Sequence, residues 1–343
     1  MDNTNLFIKR SIKSLASVTK IKAGFPSATS NSVNIIAYHR VVSDIGKAEK
    51  ESIYGTVISA ASFRKHCELL RKSFDVVSLE TAMYFLDGER KLSRPLAVIT
   101  FDDGYLDFYE EAFPILNEFG FPATVFLPTD FIGQKTPLAH DRIYWLIKQS
   151  AENDVPMKNT FTKAGVAKDF AEKLASQKDI LKLTDFIVFL PNELREKIIV
   201  EMEKELGDLF ENYPPEYQLL TWEMVREMSR KGISFGGHTA QHVILPLEDF
   251  SQMEAEIVMS KQNLETQLGN KVLSFAYPNG EYNPQIKKLV AQAGYKIAVT
   301  TEKRINQTGA DLLSLGRISL CEESTRGISG AYSTKVASLR LGV

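Results

Sequence analysis

At 343 residues, with 44% apolar and 24% charged side chains, the chain can form one large globular domain or two modest ones. Its 41 basic and 43 acidic residues leave a net charge of −2, which excludes the broad positive field of a nucleic-acid binder. The 2 cysteines, Cys67 and Cys321, lie far apart with no CxxC pattern, so they form neither a disulfide framework nor a cysteine zinc site and are expected as buried free thiols.

No stretch approaches the roughly 20 apolar residues of a membrane span. Residues 1–22 mix Leu6, Phe7, Ile8, Ile12, Leu15 and Val18 with Lys9, Arg10, Lys13, Lys20 and Lys22. They lack the continuous apolar core of a secretory signal and read as a short basic amphipathic helix. Such a helix is either a weak membrane-surface anchor or a solvated or packed leader.

A strand is expected over 33–38, ending at His39. A helix over 62–74 carries Phe63, His66, Leu69 and Leu70 on one stripe, which makes His66 a structural residue. A second helix opens at 78–80 and stops at Gly88. The apolar run 96–101 then ends in Thr100-Phe101-Asp102-Asp103-Gly104. Adjacent strand residues face opposite ways, so the two acids can take different jobs. Two carboxylates this close repel each other in apolar surroundings unless a cation or a proton separates them. The pattern points to a metal held by one Asp, with the other free to handle protons.

Residues 109–120 follow as a helix stopped by Gly120, and 123–127 as a strand bounded by prolines. From about 140 to 211 the chain is charged and helical. It reads as a helical insertion over 133–218, closed by Tyr213-Pro214-Pro215, with the Glu- and Lys-rich stretch 192–209 as a solvated helix face. His140, at its start, is expected to be solvated.

Beyond the insertion, a helix over 221–231 and a strand over 233–235 lead into Gly236-Gly237-His238-Thr239-Ala240-Gln241-His242. His238 and His242 are four apart, so on a helical turn both rings share one face. Two imidazoles and one carboxylate leave a divalent metal an open position for water, the catalytic type of site. No Glu follows His238 as in the zincin helix, so the base must come from elsewhere, and Asp102 is available. A helix over 250–268, a strand over 272–277, a helix over 284–294 and a strand over 297–300 complete the alternation. Such βαβ units form a parallel sheet or barrel whose ligands gather at the C-terminal strand ends. His39, Asp102, Asp103, His238 and the turn Tyr277-Pro278-Asn279-Gly280 all follow a strand. An Asp-Asp-Gly alone is ordinarily a solvated turn, and a lone pair of histidines is ordinarily structural. Together, each at a strand end beside glycine, they mark a site.

These three motifs, in this order, resemble those of the polysaccharide deacetylase family (carbohydrate esterase family four). The resemblance covers roughly 31–132 and 219–323 and leaves out the insertion. It implies an α/β fold, a distorted, incomplete (β/α) barrel, that removes acetyl groups from sugars with one divalent ion. Asp102 then corresponds to the general base, and Asp103, His238 and His242 to the metal ligands. Asn279 corresponds to the residue whose backbone N–H contributes to the oxyanion hole, with Tyr277 and Pro278 beside it against the substrate. The usual arginine of the third motif is absent, since Ser274-Phe275-Ala276 precedes Tyr277, and no His follows His242 to serve as the acid. One circularly permuted branch, which includes deacetylases of poly-N-acetylglucosamine and other bacterial exopolysaccharides, places an equivalent His near the N-terminus. Ile35-Ile36-Ala37-Tyr38-His39-Arg40-Val41 is similar to that segment, which makes His39 the expected acid. Arg317 is either the arginine that orients the base or a surface residue.

The implied ion is Zn²⁺, and Ni²⁺ or Co²⁺ fits the same ligands. Asp102 takes the proton of the attacking water, and His39 gives one to the leaving amine, a job suited to an imidazole. The implied substrate is an N-acetylhexosamine-containing glycan of bacterial surface or exopolysaccharide biosynthesis, or a lipid-linked saccharide. An O-acetyl esterase, a deformylase acting on a lipid-linked sugar and a catalytically inactive glycan-binding module stay open. The expected partition is a basic leader over 1–30, the barrel over 31–132 and 219–323, the insertion over 133–218 and a tail over 324–343. The expected location is the cytoplasm, with membrane association left to the leader.

Overall fold

The computed structural model describes residues 28–53, 55–88, 92–210 and 212–343. The expected helix over 1–22 and its membrane-surface role lie outside the described residues. Among those described, no helix is long and apolar enough to cross a membrane.

The chain runs through β1 (Ser32–Tyr38), β2 (Arg40–Val42), β3 (Val57–Ser59), β4 (Asp75–Val76), β5 (Leu96–Phe101) and β6 (Ala123–Leu127). After the insertion come β7 (Ile233–Gly237), β8 (Ser274–Ala276), β9 (Ile297–Val299), β10 (Asn306–Gln307) and β11 (Ile318–Ser319). The main sheet has the order β10-β1-β5-β6-β7-β8-β9, with β4 on β5 and β11 on β1, and only β10 is antiparallel. β2 and β3 form a separate parallel pair. β1, β5 and β6 are buried at every position, as strands covered on both faces must be.

The sheet curls. Val33 and Ile35 of β1 and Ile297 and Val299 of β9 share one apolar cluster with Val98, Phe126 and Leu315, although β1 and β9 lie far apart in the strand order. The segment from Leu315 to Leu320 spans the gap between them. Leu315 bridges to Val299 in parallel, and Ile318 pairs with Ile36. The expected incomplete (β/α) barrel is the observed architecture. Helices pack outside it, and Ser59, Ser78, Thr221, Asp249 and Asn283 each cap one by accepting a backbone N–H three residues on. His66, buried in the helix Ala60–Ser73, lies within 3.0 Å of the Tyr38 hydroxyl. Cys67 beside it is buried, whereas Cys321 is only half-buried.

The segment 139–206 contributes five helices and no strand, and encloses its own core around Ile147, Phe161, Leu174, Ile187, Ile198 and Met202. The segment expected as a tail is instead part of the main core. Its helix Thr334–Leu341 buries Ala337 and Leu341, and Asn34 Nδ2 donates to the Leu341 carbonyl at 2.7 Å.

Candidate active site and metal centre

Strand register assembles the site. Tyr38 of β1 pairs with Phe101 of β5, so the next residues, His39 and Asp102, come level, and Asp102 N–H donates to the Tyr38 carbonyl at 3.0 Å. Leu127 of β6 pairs with Gly237 of β7, and His238 N–H continues that ladder to the Leu127 carbonyl at 3.1 Å. Gly237 in turn pairs with Phe275 of β8, which sets His238 Nδ1 2.7 Å from the Ala276 carbonyl.

Past β5 the chain turns at Asp103 and Gly104, with φ of 74° and 70°. A Cβ at Gly104 would come within 2.5 Å of a Leu127 side-chain carbon, so the turn requires glycine. The turn lets Asp103 meet the histidines. Its Oδ1 lies 3.1 Å from His242 Nε2 and 3.6 Å from His238 Nε2.

The histidines do not share a helical turn, contrary to expectation. Residues 238–242 form an irregular loop with Thr239 at φ 61° and His242 at φ 54°. Buried Glu256, from the helix Phe250–Leu268, accepts the N–H groups of Ala240 at 2.9 Å and Gln241 at 2.8 Å. Thr239 Oγ1 accepts the N–H of Val243 at 3.2 Å. Side chains thus take the bonds that helical carbonyls would have taken, and the spacing alone did not reveal it. Asp103, Thr239, His242 and Asn279 are four of the five non-glycine residues at positive φ among the described residues. Backbone strain is concentrated at the three motifs.

The residues present suit a divalent cation. The Ala276 carbonyl takes the Nδ1 proton of His238, which leaves the Nε2 lone pair toward Asp103. Burial, with His242 second, pushes His238 down to about 4, so its ring is a neutral donor of a lone pair. Burial alone would push the Asp103 carboxyl up, but the facing His242 outweighs it and holds the group below the ordinary carboxylate range. Asp103 Oδ1 is sealed and hydrogen-bonds to nothing among the described residues. An ionised, orphaned oxygen beside two imidazole nitrogens, all within 4.8 Å of one another, could hold a divalent cation.

Asp102 has other partners. Alternation along β5 puts it on the side of Val98, toward the barrel interior. Arg317 grips it with a fork, Nη1 to Oδ1 at 2.7 Å and Nη2 to Oδ2 at 2.7 Å, while its Nε donates to the Thr300 carbonyl at 2.9 Å. Arg317 is 1% exposed, so the surface alternative does not hold. It sits on the segment that joins β9 to β1, so closure of the barrel carries it inward. Burial would raise the Asp102 carboxyl, but the guanidinium outweighs it and keeps the group below its usual range. His39 Nε2 stands 4.0 Å from Asp102 Oδ2 with its side chain 31% exposed.

Asn279 follows the third motif's proline at φ 55°, and among the described residues its N–H has no acceptor. The next residue admits only glycine, since a Cβ at Gly280 would lie 2.5 Å from the Thr301 nitrogen. Tyr277 departs from expectation. It is 0% exposed, stacked on Tyr282, and its hydroxyl donates to the Leu313 carbonyl at 3.0 Å. The ring supports the turn and is not available to a substrate. Pro278 is likewise buried.

His140 is a second correction. Instead of being solvated, it packs edge-on against His242, with ring centroids 5.1 Å apart. The Tyr105 hydroxyl lies 2.9 Å from its Nε2 and donates to Asp141 Oδ2 at 2.6 Å. Tyr105, Asp141 and Glu256 escaped the sequence reading because they belong to no motif, and a Glu or Asp in a helix ordinarily faces water.

Polysaccharide deacetylase is the description of the family whose profile matches residues 89–183 and 188–298, more than half of the chain. That stretch holds Asp102, Asp103, His238, His242 and Asn279, while His39 and Arg317 lie outside it. YxkH of Bacillus subtilis (strain 168), named as a polysaccharide deacetylase, is 22% identical over 271 residues, covering 79% of this chain and 68% of that protein. Two solved structures share the fold. Streptococcus pyogenes deacetylase PplD in complex with acetate gives a TM-score of 0.56 at 20% identity, covering 88% of this chain and 97% of that one. IcaB from Ammonifex degensii gives 0.57 at 17% identity, covering 92% and 100%. The fold, the order of the motifs and the matched stretch agree, and the chain belongs to the polysaccharide deacetylase family.

Proposed function

We propose that this chain is a metal-dependent deacetylase that hydrolyses N-acetyl groups on an N-acetylhexosamine-containing glycan, in the assembly of a bacterial surface or exopolysaccharide. The observation that carries this reading is the meeting of Asp103, His238 and His242 at one point, next to a carboxylate, Asp102, that a buried arginine keeps ionised. The three ligands would hold the ion, with Zn²⁺ first and Ni²⁺ or Co²⁺ fitting the same donors. An ion bound there supplies Lewis acidity toward the acetyl carbonyl.

The protein's own groups do the proton work. Asp102 accepts the proton of the water that attacks the acetyl carbon. Arg317 holds both carboxylate oxygens in place, so that Asp102 stays anionic and aimed. The free N–H of Asn279 donates to the oxygen on which charge develops. As the carbon–nitrogen bond breaks, His39 gives a proton to the departing nitrogen, and acetate and a free amino sugar leave. An amine leaving group needs that proton, and an imidazole open to solvent beside the base favours an amide over an ester. A solved neighbour at TM-score 0.56 and 18% identity bears the name de-N-acetylase.

The test is acetate release by Zn²⁺-loaded protein from N-acetylglucosamine oligomers, O-acetylated glycans and an N-acetylated lipid-linked saccharide. The expected result is release from an N-acetylated substrate with one amine formed per acetate, lost on chelation. Release from O-acetyl groups alone, or release that survives removal of all metal, contradicts the reading.

A further inference from the structure

We propose that His140, delivered by the helical insertion, is a substrate-contacting residue of the site, its Nδ1 accepting a hydrogen bond from a hydroxyl of the glycan next to the acetylated sugar position. This deepens the deacetylase reading and rests on it. His140 stands at the start of the helix Ala139–Glu152, and its ring packs against that of the ligand His242. Its neighbour Asp141 is 3% exposed and takes the single hydroxyl proton of Tyr105 at 2.6 Å. The Tyr105 oxygen therefore accepts in its 2.9 Å contact with His140, and the Nε2 of His140 is the donor. With its proton on Nε2, the neutral ring carries its lone pair on Nδ1. That nitrogen hydrogen-bonds to no group among the described residues, and it is not among the sealed, unpartnered atoms. The side chain keeps 15% of its surface open.

A buried carboxylate and a buried tyrosine thus lock the tautomer of a partly open imidazole beside the metal ligands. A ring that merely packed on His242 would need no such lock. An acceptor of fixed direction at the edge of a glycan site matches a sugar hydroxyl.

The experiment uses the Zn²⁺-loaded full chain on two substrates, an N-acetylglucosamine oligomer and an aryl acetate that has the acetyl group but no sugar. His140→Ala is expected to raise KM for the oligomer about 10-fold, the worth of one such hydrogen bond, with aryl acetate turnover and metal content unchanged. His140→Asn, whose amide oxygen takes the place of Nδ1, recovers part of the loss. Tyr105→Phe, which releases the tautomer, shifts KM the same way. Nitrogen NMR of the His140 ring should show a proton on Nε2. A proton on Nδ1, equal losses on both substrates, or loss of metal from His140→Ala overturns the inference. Parent protein that cleaves the aryl acetate but no glycan overturns the functional reading along with it. Parent protein that cleaves the oligomer no faster than His140→Ala does overturns this inference alone.

Discussion

At the scale of single residues, Asp102 meets a guanidinium fork while Asp103 meets two imidazoles. The turn at Asp103 and Gly104 separates them, so neighbours in sequence acquire different surroundings. Arg317 makes the difference on one side. Truncating it strands a buried carboxylate, which typically costs about 3–5 kcal/mol. Arg317→Ala is therefore expected to lower the denaturant midpoint by a corresponding amount, and Arg317→Lys by less, because it keeps the charge and loses the fork. An Arg317→Ala midpoint equal to the parent's contradicts a buried, paired arginine. Asp102, Asp103, His238 and His39 were legible because each follows an apolar run at a strand end, where side chains converge, and His242 because it repeats an imidazole four residues on. Arg317 was legible only as an alternative, since nothing local distinguishes it from a surface arginine. His140 was misread for the opposite reason. Its burial depends on Tyr105 and His242, which lie far away in the chain.

Among the elements, the loop 238–242 departs furthest from its expected form. Helical spacing describes what a helix does with His238 and His242, not whether a helix forms. Thr239 and Glu256 satisfy the backbone there, and Thr239 and His242 take left-handed conformations instead. Glu256→Gln keeps the volume but weakens the acceptor for two N–H groups. It is expected to lower Zn²⁺ affinity about 10–100-fold, the usual effect of disturbing the groups that orient ligands, in a competition titration with a chelator. Unchanged affinity means that the loop holds its shape without Glu256. The long elements were legible: β5, β6 and the helix Phe250–Leu268 fall where apolar periodicity puts them. Four short ones were not. β2, β3, β10 and β11 have two or three residues each, too few to show a period, and their pairing is decided by chain closure. The helix Thr334–Leu341 was taken for a tail because its burial comes from packing across the whole chain.

For the whole molecule, burial of polar groups ties stability to pH. Burial pushes His66 down to about 3. An unfolded histidine titrates near 6.5, so between these values the unfolded chain binds a proton that the native chain does not. The contribution of His66 is therefore full above about pH 6.5 and is lost as the pH falls toward 3, by about 1.4 kcal/mol per pH unit within that window. His66→Gln removes the titrating group. Its stability is expected to fall less steeply than the parent's between about pH 6.5 and about pH 5, read from denaturant midpoints. Equal slopes mean that His66 is protonated in the folded state. The same closure that buries such groups unites the site, since β1 brings His39 and the segment joining β9 to β1 brings Arg317 to the mouth of β5. The most direct test of the account is the rate of acetate release from an N-acetylated glycan by Zn²⁺-loaded Asp102→Asn. The account predicts a fall of about 10²–10⁴-fold with metal still bound, the usual worth of a general base. Turnover close to the parent's contradicts it.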